Sequence, residues 1–192
     1  MSPPVFACFD VETTGLDPDR ARVIEVAVVR TGPSGEVVGE WTTLLDPDLR
    51  QLGATHVHGI RPEWLASAPS FLEVAGDLAD QLSGFVPVAH NATFDIRFLK
   101  SEWEHAGLGP LDVEAVDTLE MARREGLPGR LGQLAEALGV PLLGAHQALD
   151  DARALAGVLA ALLDRGVAIR PTPVFQPPLL KPQASGSQVL RP

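Results

Sequence analysis

Two carboxylates at the end of an apolar run are the first residues of this sequence whose type and spacing could do chemistry. Val5 to Val11 is apolar apart from Asp10, and Glu12 follows two positions after Asp10. Because side chains at i and i+2 of a strand face the same side, the two carboxylates converge on one small volume. Such a pair favours a hard divalent cation, Mg²⁺ or Mn²⁺. For this pair alone, the alternative is a solvated strand end whose carboxylates cap the next loop.

Two later segments carry further groups that could join this pair. Asp95 lies in the first turn of a predicted helix after an apolar strand, where it can point to the sheet edge or serve only as a helix-terminal charge. His146 precedes Asp151 by five residues, about 140° around a helix, so the two converge only if His146 lies in the loop before that helix. Gly144, two residues before His146, allows the chain to form such a loop. Asp150 points about 100° away from Asp151 and is expected to be solvated.

Length and composition indicate one domain with a tail. The chain has 192 residues, 45% of them hydrophobic, which is enough for one sizeable core. Its single cysteine, Cys8, excludes an intramolecular disulfide and is expected to be buried. Without a basic leader or an apolar segment of about 18 residues, the chain is expected to be cytoplasmic with no membrane partner. The net charge of −10 argues against a broad basic surface for long nucleic acid, but suits carboxylates gathered around cations.

Alternating strands and helices must position these groups. Apolar runs predict five strands, at 5–11, 22–31, 37–45, 85–90 and 113–116, with the first three as an antiparallel meander. Helical periodicity and a capping box predict helices at 70–84, 92–105, 118–124, 131–138 and 147–164. This pattern is typical of an α/β sheet fold. We expect a domain over 1–166 and a proline-rich extended or disordered tail over 167–192.

Three motifs follow one another along the chain: FDVETTGL, VAHNATFDIRFL and AHQALDDARAL. In this order they resemble the DEDDh exonuclease family, nearest to the group of the proofreading epsilon subunit of bacterial DNA polymerase III. The resemblance covers about residues 5–163. It implies a ribonuclease H-like fold, a five-stranded mixed sheet flanked by helices. The family's sister branch uses a tyrosine in its third motif, and this sequence has no tyrosine. The chain therefore resembles only the branch that has a histidine in that motif.

The resemblance also implies a role for each motif residue. It implies two Mg²⁺ or Mn²⁺ ions held by Asp10, Glu12, Asp95 and Asp151, with His146 as the general base. Asp10 would bridge the ions, Glu12 and Asp151 would serve the ion that holds the attacking water, and Asp95 would serve the other ion. The expected substrate contacts are Thr13, Thr14, Gly15, Leu16, His58, Asn91 and Phe94. A purely structural role is an equal alternative for the four that follow Glu12.

The implied function is metal-dependent 3′→5′ exonuclease activity in proofreading or repair. The expected substrate is the 3′ end of single-stranded, frayed or mismatched DNA, and the expected products are nucleoside 5′-monophosphates. An RNA-trimming exoribonuclease of the same family is one alternative, and a non-catalytic nucleic-acid-binding or assembly subunit is another. The tail is a candidate tether to a DNA polymerase subunit. Its segment QPPLLK, at 176–181, has a weak similarity to peptides that bind a sliding clamp.

Overall fold

Five strands form one mixed sheet in a computed structural model of the chain, which describes residues 5–48, 58–144, 146–178 and 187–192. They are β1 (Phe6–Thr13), β2 (Val23–Thr31), β3 (Val37–Leu44), β4 (Val86–Ala89) and β5 (Val116–Asp117). Their order in the sheet is β3-β2-β1-β4-β5. β1, β2 and β3 pair antiparallel, and β4 pairs parallel with β1 and with β5. The five-stranded mixed sheet and the initial meander predicted from the sequence are confirmed.

Helices cover both faces of this sheet. Within the described ranges they are α1 (Pro62–Leu65), α2 (Phe71–Leu82), α3 (Ala92–His105), α4 (Thr118–Arg124), α5 (Leu131–Leu138) and α6 (Ala148–Asp164). The predicted helices are confirmed to within two residues at each end. The capping box is present at the start of α2, where the Ser70 amide donates to the Glu73 carboxylate at 2.8 Å. None of the described helices combines the length and the apolar character that crossing a bilayer requires.

The side chains of β1 alternate between two cores. Ala7, Phe9 and Val11 belong to the core that also contains residues of α2 and α3, whereas Phe6 and Cys8 belong to the core that contains residues of α6. By the strand's period of two residues, Asp10 and Glu12 continue the second series toward the side of α6. Cys8 is fully buried as expected, and burial raises the pKa of its thiol.

Two predicted boundaries differ from the structure. The fifth strand was expected at 113–116, but β5 consists of Val116 and Asp117 alone. Val113 and Leu111 are buried in the first core without pairing in the sheet, so their apolar character reflects burial rather than strand pairing. The short helix α1 was not predicted, because four residues carry too little periodicity to reveal a helix.

A buried ion pair ties α3 to β2. Both carboxylate oxygens of Glu102 accept hydrogen bonds from Arg22, from Nε at 2.8 Å and from a terminal nitrogen at 2.7 Å. The Val23 amide donates to the same carboxylate at 2.9 Å. A buried carboxylate with several charge-assisted partners fixes its helix firmly. Because Asp95 lies two turns earlier on α3, this pair also helps to position Asp95.

The described parts of the predicted tail pack against the domain. Val167 and Phe175 are buried. The Phe175 amide donates to the carbonyl of Phe85 at 2.8 Å, and the Gly84 amide donates to the carbonyl of Phe175 at 3.1 Å. Residues 167–178 contain no helix or strand, in keeping with an extended segment. The domain boundary at residue 166 stays a prediction.

Candidate active site

Asp10 and Asp95 meet at the carboxyl end of β1. Asp95, with 3% of its surface exposed, accepts a hydrogen bond from the Val11 amide at 3.3 Å, so the first turn of α3 contacts the strand that carries Asp10. Burial raises the pKa of Asp10 well above its ordinary value, and the charges of Asp95, Glu12 and Asp151 raise it further. The strand end and the helix therefore place two carboxylates in one desolvated volume.

His146 lies before α6, as its convergence with Asp151 required. α6 begins at Ala148, and His146 adopts a left-handed backbone conformation with φ of 65°. Its amide donates to Asp151 Oδ2 at 3.0 Å. Glu12, His146 and Asp151 each offer a ligand atom, and these three atoms lie within 4.8 Å of one another. Asp150, which is not one of these three residues, forms a 3.0 Å ion pair with Arg153 on the same helix.

The carboxylates of this cluster bind protons unusually tightly. Burial raises the pKa of Glu12 to about 7, with further increases from the charges of Glu25 and Asp151, and the charge of Arg191 opposes the shift. Burial raises the pKa of Asp95 to about 8, although its backbone hydrogen bonds oppose the shift. Burial also raises the pKa of Asp151. The common cause is burial, which removes each carboxylate from water and disfavours its charged form.

A hard divalent cation fits this donor set. The cluster offers carboxylate oxygens from Asp10, Glu12, Asp95 and Asp151 and an imidazole from His146, and oxygen-rich sites of this kind suit Mg²⁺ and Mn²⁺. Burial raises these pKa values and the repulsion between neighbouring carboxylates adds to the shift, so the charged forms are disfavoured while no cation is bound. A bound cation would offset that charge and lower these pKa values.

Metal-free protein should lose stability as the pH rises. The pKa values of about 7 for Glu12 and about 8 for Asp95 exceed those of an unfolded chain, which lie near ~4. The folded state therefore binds more protons than the unfolded state between those limits, and stability that is present near pH ~4 is lost by pH ~8. In EDTA, the melting temperature should fall by roughly 5 °C between pH ~5.5 and ~8.5.

Added Mn²⁺ should restore the melting temperature at the higher pH and have little effect at the lower one. The matched control is Asp95→Asn, which removes one titrating carboxylate of similar shape; its melting temperature in EDTA should exceed that of the wild type at pH ~8.5 and approach it at pH ~5.5. Calorimetry on both proteins in both buffers makes the comparison. A difference between the two proteins that does not change with pH would contradict the expectation.

Glu25 is a fifth carboxylate at the cluster, and the sequence reasoning missed it. It lies on β2 directly opposite Glu12 and is almost fully buried. Its Oε2 accepts a hydrogen bond from the amide of Ala148, the first residue of α6, at 3.1 Å. The sequence signal was present, since Glu25 interrupts the apolar run of β2 much as Asp10 interrupts that of β1. Glu25 thus joins the beginning of α6 to the sheet beside the cluster.

An open cleft of about 640 Å³ runs beside the cluster. Asp10, Asp151 and His146 lie along one part of it, together with Asn91, which was predicted to contact substrate. The remainder is formed largely by α5 and the loops around it. These residues, absent from the predicted site, include His90, Gly129, Arg130, Gln133, Glu136 and Leu142. Arg130 is exposed, and its guanidinium could donate two parallel hydrogen bonds to a phosphate group.

The residues predicted to contact substrate after Glu12 form a hydrogen-bonded turn. The Thr13 hydroxyl donates to the Gly15 carbonyl at 2.7 Å. The Thr14 hydroxyl accepts a hydrogen bond from the Arg22 amide at 2.9 Å. Leu16 stands out from this turn with 83% of its surface exposed. The structural role expected as the alternative is thus present, and substrate contact by these four residues stays a prediction.

The other predicted substrate contacts lie in different settings. His58 has 2% of its surface exposed, and its Nδ1 accepts a hydrogen bond from the Ile60 amide at 3.0 Å. Phe94 is half-buried, with its ring centroid 4.9 Å from that of Phe98. Asn91 is exposed in a left-handed conformation before α3. Contact with substrate stays a prediction for each of the three.

A mixed sheet of this order, with carboxylates gathered beside its central strand and next to an open cleft, defines a nuclease-type hydrolase of the ribonuclease H-like fold class. An exonuclease family model (RNase_T) matches residues 7–159. The chain therefore belongs to the exonuclease family.

The chain is similar to three proteins of known name or structure. The chain is 36% identical over 156 residues to the DNA polymerase III subunit epsilon of Treponema pallidum (strain Nichols), covering 77% of this chain and 71% of the relative. It is 26% identical to Exonuclease X in complex with 5′ overhanging duplex DNA, with a TM-score of 0.65 over 83% of this chain and 92% of the other. The nuclease domain of 3′hExo, a DEDDh family member bound to rAMP, has a TM-score of 0.75 at 19% identity, covering 88% and 98% of the two chains. This last likeness shows the fold alone.

Proposed function

We propose that the chain is a 3′→5′ exonuclease that removes nucleotides from DNA ends with the help of two Mg²⁺ or Mn²⁺ ions. The observation that carries the proposal is the convergence of Asp10, Glu12, Asp95 and Asp151 with His146 beside an open cleft. Membership of the exonuclease family supports hydrolysis of a phosphodiester bond. The similarity to a DNA polymerase III subunit epsilon supports DNA as the substrate and proofreading or repair as the setting.

In this proposal the four carboxylates hold the cations and His146 handles the proton. Bound divalent ions would neutralise the carboxylates and make both the attacking water and the phosphate more reactive. A ring nitrogen of His146 accepts a proton from the water as its oxygen attacks the phosphorus. The bond from phosphorus to the O3′ of the penultimate nucleotide breaks, and that O3′ takes a proton from solvent. The terminal nucleotide then leaves as a 5′-monophosphate.

The DNA strand lies in the cleft with its 3′ end toward the carboxylate cluster. Asn91 contacts the end nearest the carboxylates, and Arg130 provides a positive charge farther along α5's side of the cleft. Thr13, Thr14 and Gly15 receive the terminal nucleotide, and exposed Leu16 packs against its base. His58 and Phe94 complete the proposed contacts, with Phe94 as a stacking surface.

Product analysis with end-labelled strands tests the proposal. The protein is incubated with 5′-labelled and 3′-labelled single strands of DNA and of RNA, each with and without Mg²⁺. We expect a ladder of shortened 5′-labelled DNA, immediate release of labelled mononucleotide from 3′-labelled DNA, and no reaction without the metal.

Other outcomes of this experiment point to the other functions. A faster single-turnover reaction on RNA than on the matched DNA strand would identify an exoribonuclease instead. Complete absence of degradation of every strand in the presence of Mg²⁺ would identify a non-catalytic subunit. Release of label from 5′ ends would contradict the proposed polarity.

A DNA polymerase subunit is the proposed protein partner. The chain is acidic, with a net charge of −10, so its own hold on long DNA is weak and tethering would raise the local concentration of 3′ ends. The similarity to a polymerase III subunit supports this assignment. The candidate clamp-binding segment at 176–181 lies partly outside the described residues, and it and the cytoplasmic location stay predictions. The C-terminal tail is the proposed tether to the polymerase. Unchanged co-purification with a polymerase after deletion of 176–186 would argue against that role.

A further inference from the structure

Residues 187–192 lie along the end of β3, close to the catalytic cluster. The Leu44 amide donates to the Val189 carbonyl at 2.7 Å, and the Val189 amide donates to the Thr43 hydroxyl at 3.1 Å. The side chain of Gln188 donates to the Thr42 carbonyl. Val189 also packs against a small buried cluster of Ile24, Leu44, Ile60 and Leu65. This C-terminal segment is therefore attached to the sheet through three consecutive residues of β3.

The attachment delivers Arg191 to the buried carboxylate of Glu25. Arg191 Nε and a terminal guanidinium nitrogen donate to the two carboxylate oxygens at 2.8 and 2.7 Å. Only 14% of the Arg191 side chain is exposed. A bidentate pair of this kind combines strong charge-assisted bonds with a fixed geometry. The guanidinium thus neutralises the one carboxylate of the five that the proposed mechanism leaves without a cation.

Arg191 also donates to two backbone carbonyls, one of which belongs to the loop that carries the proposed base. One terminal nitrogen donates to the His58 carbonyl at 2.7 Å, and the other donates to the His146 carbonyl at 3.2 Å. Glu25 in turn accepts the amide of Ala148. The Arg191–Glu25 pair therefore holds the backbone on both sides of Gln147, directly after a residue in the left-handed conformation. Non-glycine residues keep that conformation only when their surroundings hold them there.

We propose that Arg191 is a positioning residue for His146, and that the segment 187–192 thereby completes the active site. This inference rests on the proposed exonuclease function. Arg191 acts through the backbone carbonyl of His146 and through Glu25, and its bond to His58, a proposed substrate contact, is likewise to the backbone carbonyl. Loss of the guanidinium releases the His146 loop and leaves Glu25 as a buried, unneutralised charge beside Glu12.

The experiment compares Arg191→Gln, Arg191→Lys and the double variant Arg191→Gln/Glu25→Gln with the wild type in steady-state exonuclease assays on single-stranded DNA with Mn²⁺. In Arg191→Gln, kcat should fall by about 30-fold while KM changes by less than about threefold, because the base is misplaced and the cleft is intact. Arg191→Lys should show a smaller loss, since it keeps the charge but not the fork. Added guanidinium should restore part of the activity of Arg191→Gln only.

The double variant and a control substitution at another arginine distinguish a positioning role of Arg191 from a purely structural one. Removing both partners should recover the melting temperature lost in Arg191→Gln, because no unpaired charge remains, while kcat should stay low. Arg170→Gln is the control: Arg170 pairs with Glu120 on an exposed surface, and kcat should not change. An Arg191→Gln variant with unchanged kcat would overturn the inference, as would recovery of kcat together with the melting temperature in the double variant.

The same assays distinguish failure of this inference from failure of the proposed function. If wild-type protein does not degrade DNA, the proposed function is wrong and the inference falls with it. If the wild type is active and Arg191→Gln is equally active, only the role of Arg191 is wrong.

Discussion

Asp151→Asn should reduce exonuclease turnover by about 10³-fold or more, while Asp150→Asn should leave it within about twofold of the wild type. The two residues are neighbours in the first turn of α6, and each change removes one negative charge without altering side-chain size. Asp151 belongs to the group with Glu12 and His146, so asparagine removes an anionic ligand from the proposed metal site. Asp150 faces Arg153 in a solvent-exposed ion pair, which is worth little to stability.

Single-turnover rates on 5′-labelled DNA at saturating Mn²⁺ measure this difference. Asparagine at position 151 can still accept the hydrogen bond from the His146 amide, so the loop should keep its conformation and the circular dichroism spectrum should not change. Asp10→Asn, prepared in the same way, should lose as much activity as Asp151→Asn. A small residual rate that is the same in Asp10→Asn and Asp151→Asn would identify a contaminating nuclease. If Asp151→Asn is folded and keeps more than a tenth of the wild-type rate, the carboxylate cluster does not take part in the mechanism.

The parts of the site that sequence can predict are those built from local rules. Asp10 and Glu12 were predictable because strand alternation places i and i+2 together. The position of His146 before α6 was stated as a condition for convergence, and the structure meets it with a left-handed backbone at that residue. In each case a short segment carries its own geometry, so the pattern within that segment is sufficient.

Long-range partnerships carried no such pattern. Arg191 and Glu25 are 166 positions apart, and neither segment contains a sequence pattern that identifies the other. The buried Arg22–Glu102 pair likewise joins residues 80 positions apart. Buried charges inside apolar runs do signal that a partner must exist, because an unpaired one is costly. The apolar run around Glu25 therefore contains a signal that this carboxylate needs a partner, but no signal of which arginine provides it. β5 was misplaced for a related reason, since apolar residues at 111 and 113 serve a core and not the sheet.

His146→Ala should reduce kcat by 10²- to 10⁴-fold, approximately the contribution of a general base, with little change in KM. The imidazole lies close to Glu12 and Asp151, and its side chain reaches the cleft where the substrate is proposed to lie. His105→Ala is the matched control, because His105 is exposed near the end of α3 and has no place in the proposed mechanism. Its kcat should equal that of the wild type.

The same variant separates two roles that the geometry allows for His146. Its ring is near enough to Glu12 and Asp151 to serve as a metal ligand, and a ligand and a base differ in what their loss does to metal binding. If His146 is a base, His146→Ala should bind Mn²⁺ as tightly as the wild type in calorimetric titrations, and added imidazole should restore part of kcat. If it is a ligand, the affinity for Mn²⁺ should fall instead, by about tenfold or more, since one donor of the site is missing. Because the carboxylates supply most of the negative charge around the site, we expect metal affinity to survive the substitution and turnover to be lost.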